Sequence, residues 1–306
     1  MTVTDTEIAI SLQGIKLQHD KFVLGPLQCE IPRGMVTAIV GPNGSGKSTL
    51  FRMLLGLEPI QEGTAEVLGV HLNSNQDDSY KSKIGFLAEG PNSNDNNRSA
   101  DEIAQFVSYW YPGWDFERYR KLLRHFDVDG SVKFSKLSKG MRRKAELSIT
   151  LAHEPELLLL DEPSSGLDPF AWKKLLEELQ RYMEQGNRTL ILATHVMDEI
   201  RRLADYILFL YRGRVLGLYE KDRLVDDWRT IVIQQPAANS GLELLQRTPG
   251  LQGLTEAGPG VYRLEVNEPE QGEAYCRSCG LQVLAVQRME LEDILSCLIR
   301  KEEARR

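Results

Sequence analysis

The tightest constraint on this chain is the run Gly41-Pro42-Asn43-Gly44-Ser45-Gly46-Lys47-Ser48-Thr49, which fits the pattern G-x-x-x-x-G-K-[ST]. Ahead of it lies Met35-Val36-Thr37-Ala38-Ile39-Val40, an apolar, β-branched stretch suited to a buried strand. Behind it, Leu50-Phe51 continues a helix opened by Lys47. Glycines let the backbone wrap closely around a phosphate with successive N–H groups pointing inward. The helix start adds partial positive charge and free donors. Lys47 suits the β- and γ-phosphates, the Ser48 hydroxyl suits Mg²⁺, and Thr49 supports the turn from behind.

The rest of the chain supplies the strands and helices such a loop requires. Residues 8–31 read as short extended pieces, and residues 56–83 as turn-rich and polar, ahead of a short strand at Ile84–Leu87. Leu157–Leu160 and Thr189–Ala193 read as compact apolar strands, with helices at about Phe170–Tyr182 and Val196–Leu203. This alternation predicts a parallel α/β sheet. Tyr206–Tyr211 and Val215–Tyr219 flank Arg212-Gly213-Arg214 as a closing hairpin. Beyond about residue 225, Ile231–Ile233, Val261–Val266 and Val283–Val286 alternate with helices at 239–246, near 268–277 and at Leu291 to about Lys301. That pattern predicts a small α+β appendage.

Asp161-Glu162 follows the 157–160 strand, and a carboxylate at the carboxyl end of a parallel strand faces the crevice where such sheets bind ligands. Asp161 is the candidate metal holder, and Glu162 the group that orients and deprotonates an attacking water. Ser138-Lys139-Gly140-Met141 opens another helix whose hydroxyl, glycine backbone and N-terminus form a second anion site. His195 follows the 189–193 strand, within reach of the same crevice. Between these motifs, Ser99 with Glu102 makes a capping box, and Phe116, Tyr119, Leu122, Leu123 and Phe126 fall at helical spacing. Together they predict a helical insert, preceded by an exposed, mobile Pro91–Asn97 loop.

Composition narrows the partners. At 306 residues the chain suits two domains, and its formal charge of −7 lowers the prospect of nucleic-acid binding. Arg142-Arg143-Lys144 and Lys301-Arg305-Arg306 read as solvated helix faces. Cys276 and Cys279 have the spacing of half a zinc site or a redox pair, but no second CxxC or nearby histidine completes four ligands, so chance spacing is the better reading. Met1–Asp5 lacks a signal peptide's basic and apolar regions, and no apolar run reaches 18 residues. The expectation is a chain in the cytosol or on a membrane face through a partner.

Taken together, the motifs resemble the nucleotide-binding subunit of an ATP-binding cassette (ABC) transporter, in order over residues 8–220. Gly41–Thr49 matches Walker A, Leu137–Met141 the signature motif, Leu157–Asp161 Walker B, and Ser165–Asp168 the D-loop. His195 stands where the family has its switch histidine. The resemblance implies the P-loop NTPase cassette fold, a mainly parallel sheet with antiparallel N-terminal strands and a helical subdomain at about 92–154. Residues 1–220 would then be the ATPase domain and 221–306 an accessory domain. It implies ATP and Mg²⁺ as ligands: Asn43 to Thr49, Glu89 and Asp161 around the nucleotide, Ser48, Glu89 and Asp161 on the metal. Lys47, Glu162 and His195 would be catalytic. It also implies two cassettes packed head to tail, each ATP lying between one subunit's Walker A and the other's Ser138 and Gly140. Asp168 would run along that interface. The remaining partners would be separate membrane permease subunits, which put this chain on the cytoplasmic side of the cell membrane.

Three departures from the family pattern stand out. Glu89 replaces the Q-loop glutamine; Lys139 and Met141 replace the glycine and glutamine of Leu-Ser-Gly-Gly-Gln; and no tyrosine precedes Walker A for adenine stacking. The form Leu-Ser-Lys-Gly-Met resembles bacterial cassettes with separate permeases, often exporters. Phe22 and His19 are the two stacking candidates, and the offset does not choose between them. Phe106, Tyr109, Trp110, Tyr111, Trp114 and Phe116 load the insert with aromatics where cassettes grip their permease. The stretch Arg288–Leu295 resembles the terminal helix of exporter-type cassettes. Rival readings are a non-transport cassette ATPase acting on another complex and a regulatory ATP-binding module. The single cassette and the retained Glu162 and His195 argue against both.

Overall fold

Two long strands open the chain, β1 (Ile8–His19) and β2 (Phe22–Pro32), paired antiparallel in place of the expected short pieces. In the computed structural model, residues 7–19, 22–72, 78–234 and 241–304 are described. There follow β3 (Val36–Val40), α1 (Lys47–Leu54), β4 (Glu62–Val67) and β5 (Val70–His71). The turn-rich reading of 56–83 therefore misses two strands. β4 pairs with β1, setting Val67 against Ile10 and Ala65 against Leu12, and it buries only those two of its own residues. So few apolar positions leave no alternation to detect in the sequence. The sheet order is β2-β1-β4-β5, and its inner face packs with Leu50, Phe51, Met53 and Leu54 of α1 into one core.

The second sheet carries the chemistry. After β6 (Ile84–Leu87) come α2 (Ala100–Val107), α3 (Phe116–His125), α4 (Lys139–Leu151) and β7 (Leu157–Asp161). Then follow α5 (Pro169–Glu184), β8 (Thr189–Ala193), α6 (Met197–Leu203), β9 (Tyr206–Tyr211) and β10 (Arg214–Glu220). The strands lie in the order β10-β9-β3-β8-β7-β6, and β9, β3, β8, β7 and β6 run parallel. β3, β7 and β8 are buried along their whole length, which is why they read as unbroken apolar runs. Because they are parallel neighbours, the residues after β3, β6, β7 and β8 all emerge at one carboxyl edge. The cassette fold, with its mainly parallel sheet, antiparallel N-terminal strands and helical insert, is as the sequence implies.

In the insert, Ser99 N–H donates to Glu102 Oε2 at 2.7 Å and Glu102 N–H to Ser99 Oγ at 3.2 Å, closing the capping box of α2. Asp115 caps α3 by accepting from the N–H groups of Glu117 and Arg118. The 91–97 stretch contains a 3₁₀ turn at Ser93–Asp95 and is anchored: Arg142 donates to Asn92 O at 2.6 Å and Asn96 Oδ1 at 2.5 Å. Arg142 and Arg143 are thus not a solvated face; they are 8% and 4% exposed. Of the expected aromatic cluster, Tyr111 stacks on His153 at 4.0 Å and Trp114 meets Phe116 and Tyr119 at 5.8 and 6.2 Å. Phe106, Tyr109 and Trp110 are more than half exposed.

The chain divides into two compact units, Met1–Leu218 and Tyr219–Arg306. Within the second lie α7 (Lys221–Asp227), β11 (Arg229–Gln234), α8 (Gly241–Gln246), β12 (Leu251–Gly258) and β13 (Val261–Val266). They are followed by α9 (Pro269–Ser278), β14 (Gln282–Arg288) and α10 (Leu291–Ala304). Its sheet is antiparallel in the order β12-β13-β11-β14, a split βαβ arrangement around Ile231, Ile233, Leu264 and Val266. β12 and α7 escape the sequence reading because neither carries a continuous apolar pattern. Cys276 is buried and Cys279 half-buried, both as free thiols. Lys301 donates to Gln252 Oε1 at 2.6 Å, while Arg305 and Arg306 lie outside the described residues.

Candidate nucleotide site

The phosphate loop leaves the carboxyl end of β3 and enters α1 at Lys47. Gly46 makes that entry at φ 109°, a conformation that L side chains rarely adopt, and a Cβ there would lie 2.9 Å from Phe22 Cζ. The Leu50 N–H donates to Gly46 O at 2.8 Å, so α1 begins immediately and its first N–H groups face the loop. Lys47 is only 8% exposed; its Nζ donates to Gly41 O at 2.8 Å and Pro42 O at 3.2 Å. The loop's own carbonyls therefore hold the ammonium over the turn. Ser45 Oγ is buried without a hydrogen-bond partner among the described residues.

β7 delivers two carboxylates to the same edge. Burial pushes the Asp161 carboxyl above its usual range and Glu89 and Glu162 add to the rise, while a hydrogen bond from the Ser48 hydroxyl and the Lys47 charge oppose it. Glu162 sits at φ 47°, with its N–H donating to Ala193 O at 2.9 Å. His195, two residues past the end of β8, brings Nδ1 to 2.8 Å from Glu162 Oε1. The Nδ1–H tautomer donates along that line to the carboxylate.

A cavity of about 760 Å³ joins these groups, within the range of small-molecule and cofactor sites. Asn43, Gly44, Gly46, Lys47, Ser48 and Thr49 line it from the loop, and Glu89, Asp161, Glu162 and His195 from the neighbouring strand ends. Phe22 borders it beside Gly46, whereas the His19 side chain lies outside the described residues. Two lining residues went unread in the sequence: Arg52, one turn beyond Ser48 on α1, and Glu58, its ion-pair partner at 2.7 Å. The i+4 spacing from Ser48 is the signal that could have found Arg52.

Ser138 and Gly140 do not join the cavity. Ser138 caps α4, its Oγ accepting from Met141 N–H at 3.2 Å, and it is exposed. Gly140 meets the Gly166 turn so closely that a Cβ would lie 2.7 Å from Gly166 O. Lys139 Nζ donates to Ser165 Oγ at 3.0 Å. Asp168 accepts from Phe170 and Ala171 N–H at 3.0 and 2.9 Å, which caps α5 and holds its carboxyl below the usual range. Among the described residues no helix is long and apolar enough to cross a membrane.

A family model described as ABC transporter matches residues 24–165. The Nod factor export ATP-binding protein I of Rhizobium sp. (strain N33) is 29% identical over 306 residues, covering 97% of this chain and 99% of that protein. The lantibiotic transport ATP-binding protein SrtF of Streptococcus pyogenes is 30% identical over 70% of this chain and 91% of its own length. Among solved structures, an ATP binding subunit of an ABC transporter superposes with a TM-score of 0.64 at 26% identity, over 71% of this chain and 92% of that one. With the loop, the strand-end carboxylates and these relatives in agreement, the chain belongs to the ABC transporter family, as an ATP-binding and ATP-hydrolysing subunit.

Proposed function

We propose that this chain powers an exporter whose membrane-spanning chains are separate polypeptides, and that it works as a dimer of cassettes on the cytoplasmic face of the membrane. Residues 1–220 form the ATPase domain in this reading, and 221–306 an accessory domain. The observation that carries it is the division of the motifs. One cavity gathers Lys47, Ser48, Asp161, Glu162 and His195, while the capped, exposed Ser138 lies outside it. A second cassette would bring its own Ser138 and Gly140 to complete the γ-phosphate cage. Export is supported by the relatives' association with Nod factor export and lantibiotic transport, and by the Leu137–Met141 signature. The exposed Phe106, Tyr109 and Trp110 suit a permease contact.

Ser48, Glu89 and Asp161 line the cavity with hard oxygen donors. A serine hydroxyl and one or two carboxylates, with substrate phosphates completing the shell, are the donor set that Mg²⁺ takes in such sites. Bound there, Mg²⁺ supplies charge neutralisation on the transferring phosphoryl group. Lys47 and the N–H groups of the loop bind and orient the phosphates. Glu162, with Oε1 engaged by His195, keeps its other oxygen free to take a proton from the attacking water. His195 fixes the carboxylate's direction and, with its ring 68% exposed, is open to the γ-phosphate side.

The test is the Glu162→Gln protein loaded with ATP and Mg²⁺ and followed by light scattering. A dimer that disappears on adding Ser138→Arg is expected; a monomer at high concentration removes the shared-site reading. Co-purification of the wild-type chain with a multi-spanning membrane protein, and stimulation of its ATPase by the exported compound, tests the transport half.

A further inference from the structure

Arg143 lies on α4, five residues beyond the Ser138 cap, and is 4% exposed. Its guanidinium is aimed at main-chain carbonyls of two loops. Nη2 donates to Glu162 O at 2.7 Å and also to Asp161 O, Nε donates to Pro163 O at 3.3 Å, and Nη1 donates to Ala88 O. Three consecutive carbonyls of the catalytic turn are therefore gathered by one side chain, together with the carbonyl just before Glu89. A buried guanidinium is costly to desolvate, and Glu146, Asp161, Glu162 and Glu89 surround it with compensating charge.

The turn it grips is strained. Glu162 is a non-glycine residue at φ 47°, a region such residues occupy only when their surroundings over-determine them. Its N–H is tied to Ala193 O at 2.9 Å, and its carbonyl accepts from Ser165 N–H at 3.0 Å as well as from Arg143. With N–H and C=O both fixed, the direction of the Cα–Cβ bond follows, and so does the line from the carboxylate to His195. Two of those anchors are main-chain groups of the sheet and of the turn itself. Arg143 is the anchor that comes from the insert.

We infer that Arg143 is a positioning residue for ATP hydrolysis, holding the strained 161–163 turn so that the Glu162 carboxylate faces the water and keeping that turn in register with the Glu89 loop. It touches no substrate and acts through the main chain of Glu162. The inference rests on the reading of Glu162 as the proton acceptor. It carries a mechanical consequence: α4, which bears Ser138 at its start, is bonded directly to the catalytic turn of its own subunit. A shift of α4 would move the carboxylate without disturbing Lys47 or the phosphate loop, so the effect belongs in kcat and not in nucleotide affinity. An ångström of misplacement is enough for a large rate loss.

The test uses the full chain with Arg143→Lys, which keeps the charge but loses the planar fork, and Arg143→Gln, which loses both. Glu162→Gln serves as the control. Steady-state ATPase, fluorescent-ATP titration and thermal melting are measured on each. The expected result is a fall in kcat of about tenfold or more for both Arg143 variants, with KM and the nucleotide Kd within about threefold of the parent. Arg143→Lys is expected to retain the parent melting temperature within a few degrees, so it decides the matter if Arg143→Gln fails to fold. Parent kcat in Arg143→Lys overturns the inference, and so does a kcat loss matched by an equal loss of nucleotide binding. If Glu162→Gln itself turns over normally, the underlying reading of Glu162 fails instead. An inactive Glu162→Gln beside fully active Arg143 variants sinks the inference alone.

Discussion

Nδ1 of His195 lies 2.8 Å from Oε1 of Glu162, joining an imidazole 68% exposed to a carboxylate only 9% exposed. The pair bridges two strand ends: Glu162 follows β7, and His195 follows β8. One partner is fixed by a strained, multiply bonded turn, and the other is free to meet whatever closes the cavity. Replacing Glu162 by Gln keeps an oxygen that accepts from Nδ1–H, so the geometry survives while the proposed proton acceptor is lost. A fall in kcat of about 10²-fold to 10⁴-fold is expected, with ATP affinity unchanged. Phosphate release and fluorescent-ATP titration on the same preparation check it, and near-parent turnover would remove Glu162 from the chemistry.

The Ser48 hydroxyl and the Asp161 carboxylate line the same cavity, and on the proposed reading both hold Mg²⁺. Asp161→Asn keeps the size and a hydrogen-bond acceptor but discards the negative charge that a divalent cation requires. The Mg²⁺ concentration for half-maximal ATPase is expected to rise about tenfold or more, and chelation of divalent ions by EDTA to stop turnover in the parent. Titration of activity against Mg²⁺ at saturating ATP reads both. An unchanged Mg²⁺ requirement would separate Asp161 from the metal.

His153 reports on stability away from the cavity. It is 7% exposed, Nε2–H donates to Ile84 O at 3.2 Å, and burial lowers its pKa from 6.5 to about 4. The fold thus favours the neutral ring, and the unfolded chain takes up a proton first as pH falls. The stabilisation is full above pH 6.5 and is lost progressively as pH drops toward about 4. Over that window this one group costs about 3 kcal/mol. Denaturant unfolding at pH 7 and pH 4.5 is expected to show a smaller difference in His153→Gln, which keeps a donor for Ile84 O and does not titrate. Equal slopes in parent and variant would mean the ring is charged in the fold.

What the sequence makes legible is local. Gly41–Thr49 carries its own strand, turn and helix start, and Asp161-Glu162 is marked by the apolar run before it, so these cavity-lining residues are found without tertiary information. Phe22 and His19 illustrate the limit: stacking on a base is a tertiary relation, and both rings are equally eligible from spacing alone. β4 escapes because an antiparallel strand with two buried residues has no signature beyond its polar composition. Arg142 and Arg143 fail for a different reason. A run of basic residues on a helix reads as a wet face, yet most of their partners are main-chain carbonyls at Asn92, Ala88 and 161–163, which carry no side-chain signal. Buried cations that bind main chain are therefore invisible until the loops around them are in hand.

Gly46 and Phe22 offer the most separable perturbation of the loop. A side chain at position 46 meets two obstacles of different kinds. The φ of 109° is disfavoured for any L residue, and the new Cβ would stand 2.7 Å from Leu24 Cδ1 and 2.9 Å from Phe22 Cζ. The first obstacle is intrinsic to the backbone and costs about 1–3 kcal/mol. The second is contact with Leu24 and with an aromatic ring, of which the ring can be removed by Phe22→Ala. Gly46→Ala is expected to lower stability by at least the backbone amount and to weaken ATP binding, since the N–H groups that begin α1 must turn to relieve it. Adding Phe22→Ala should restore part of the stability but not the binding, on the reading that this cavity-lining ring stacks on the nucleotide base. Chemical denaturation and ATP titration on the two single variants and the double variant form a complete cycle. Strict additivity in stability would show that the ring and the loop backbone do not press on each other, and would leave the positive φ and the Leu24 contact as the reasons for glycine at this position.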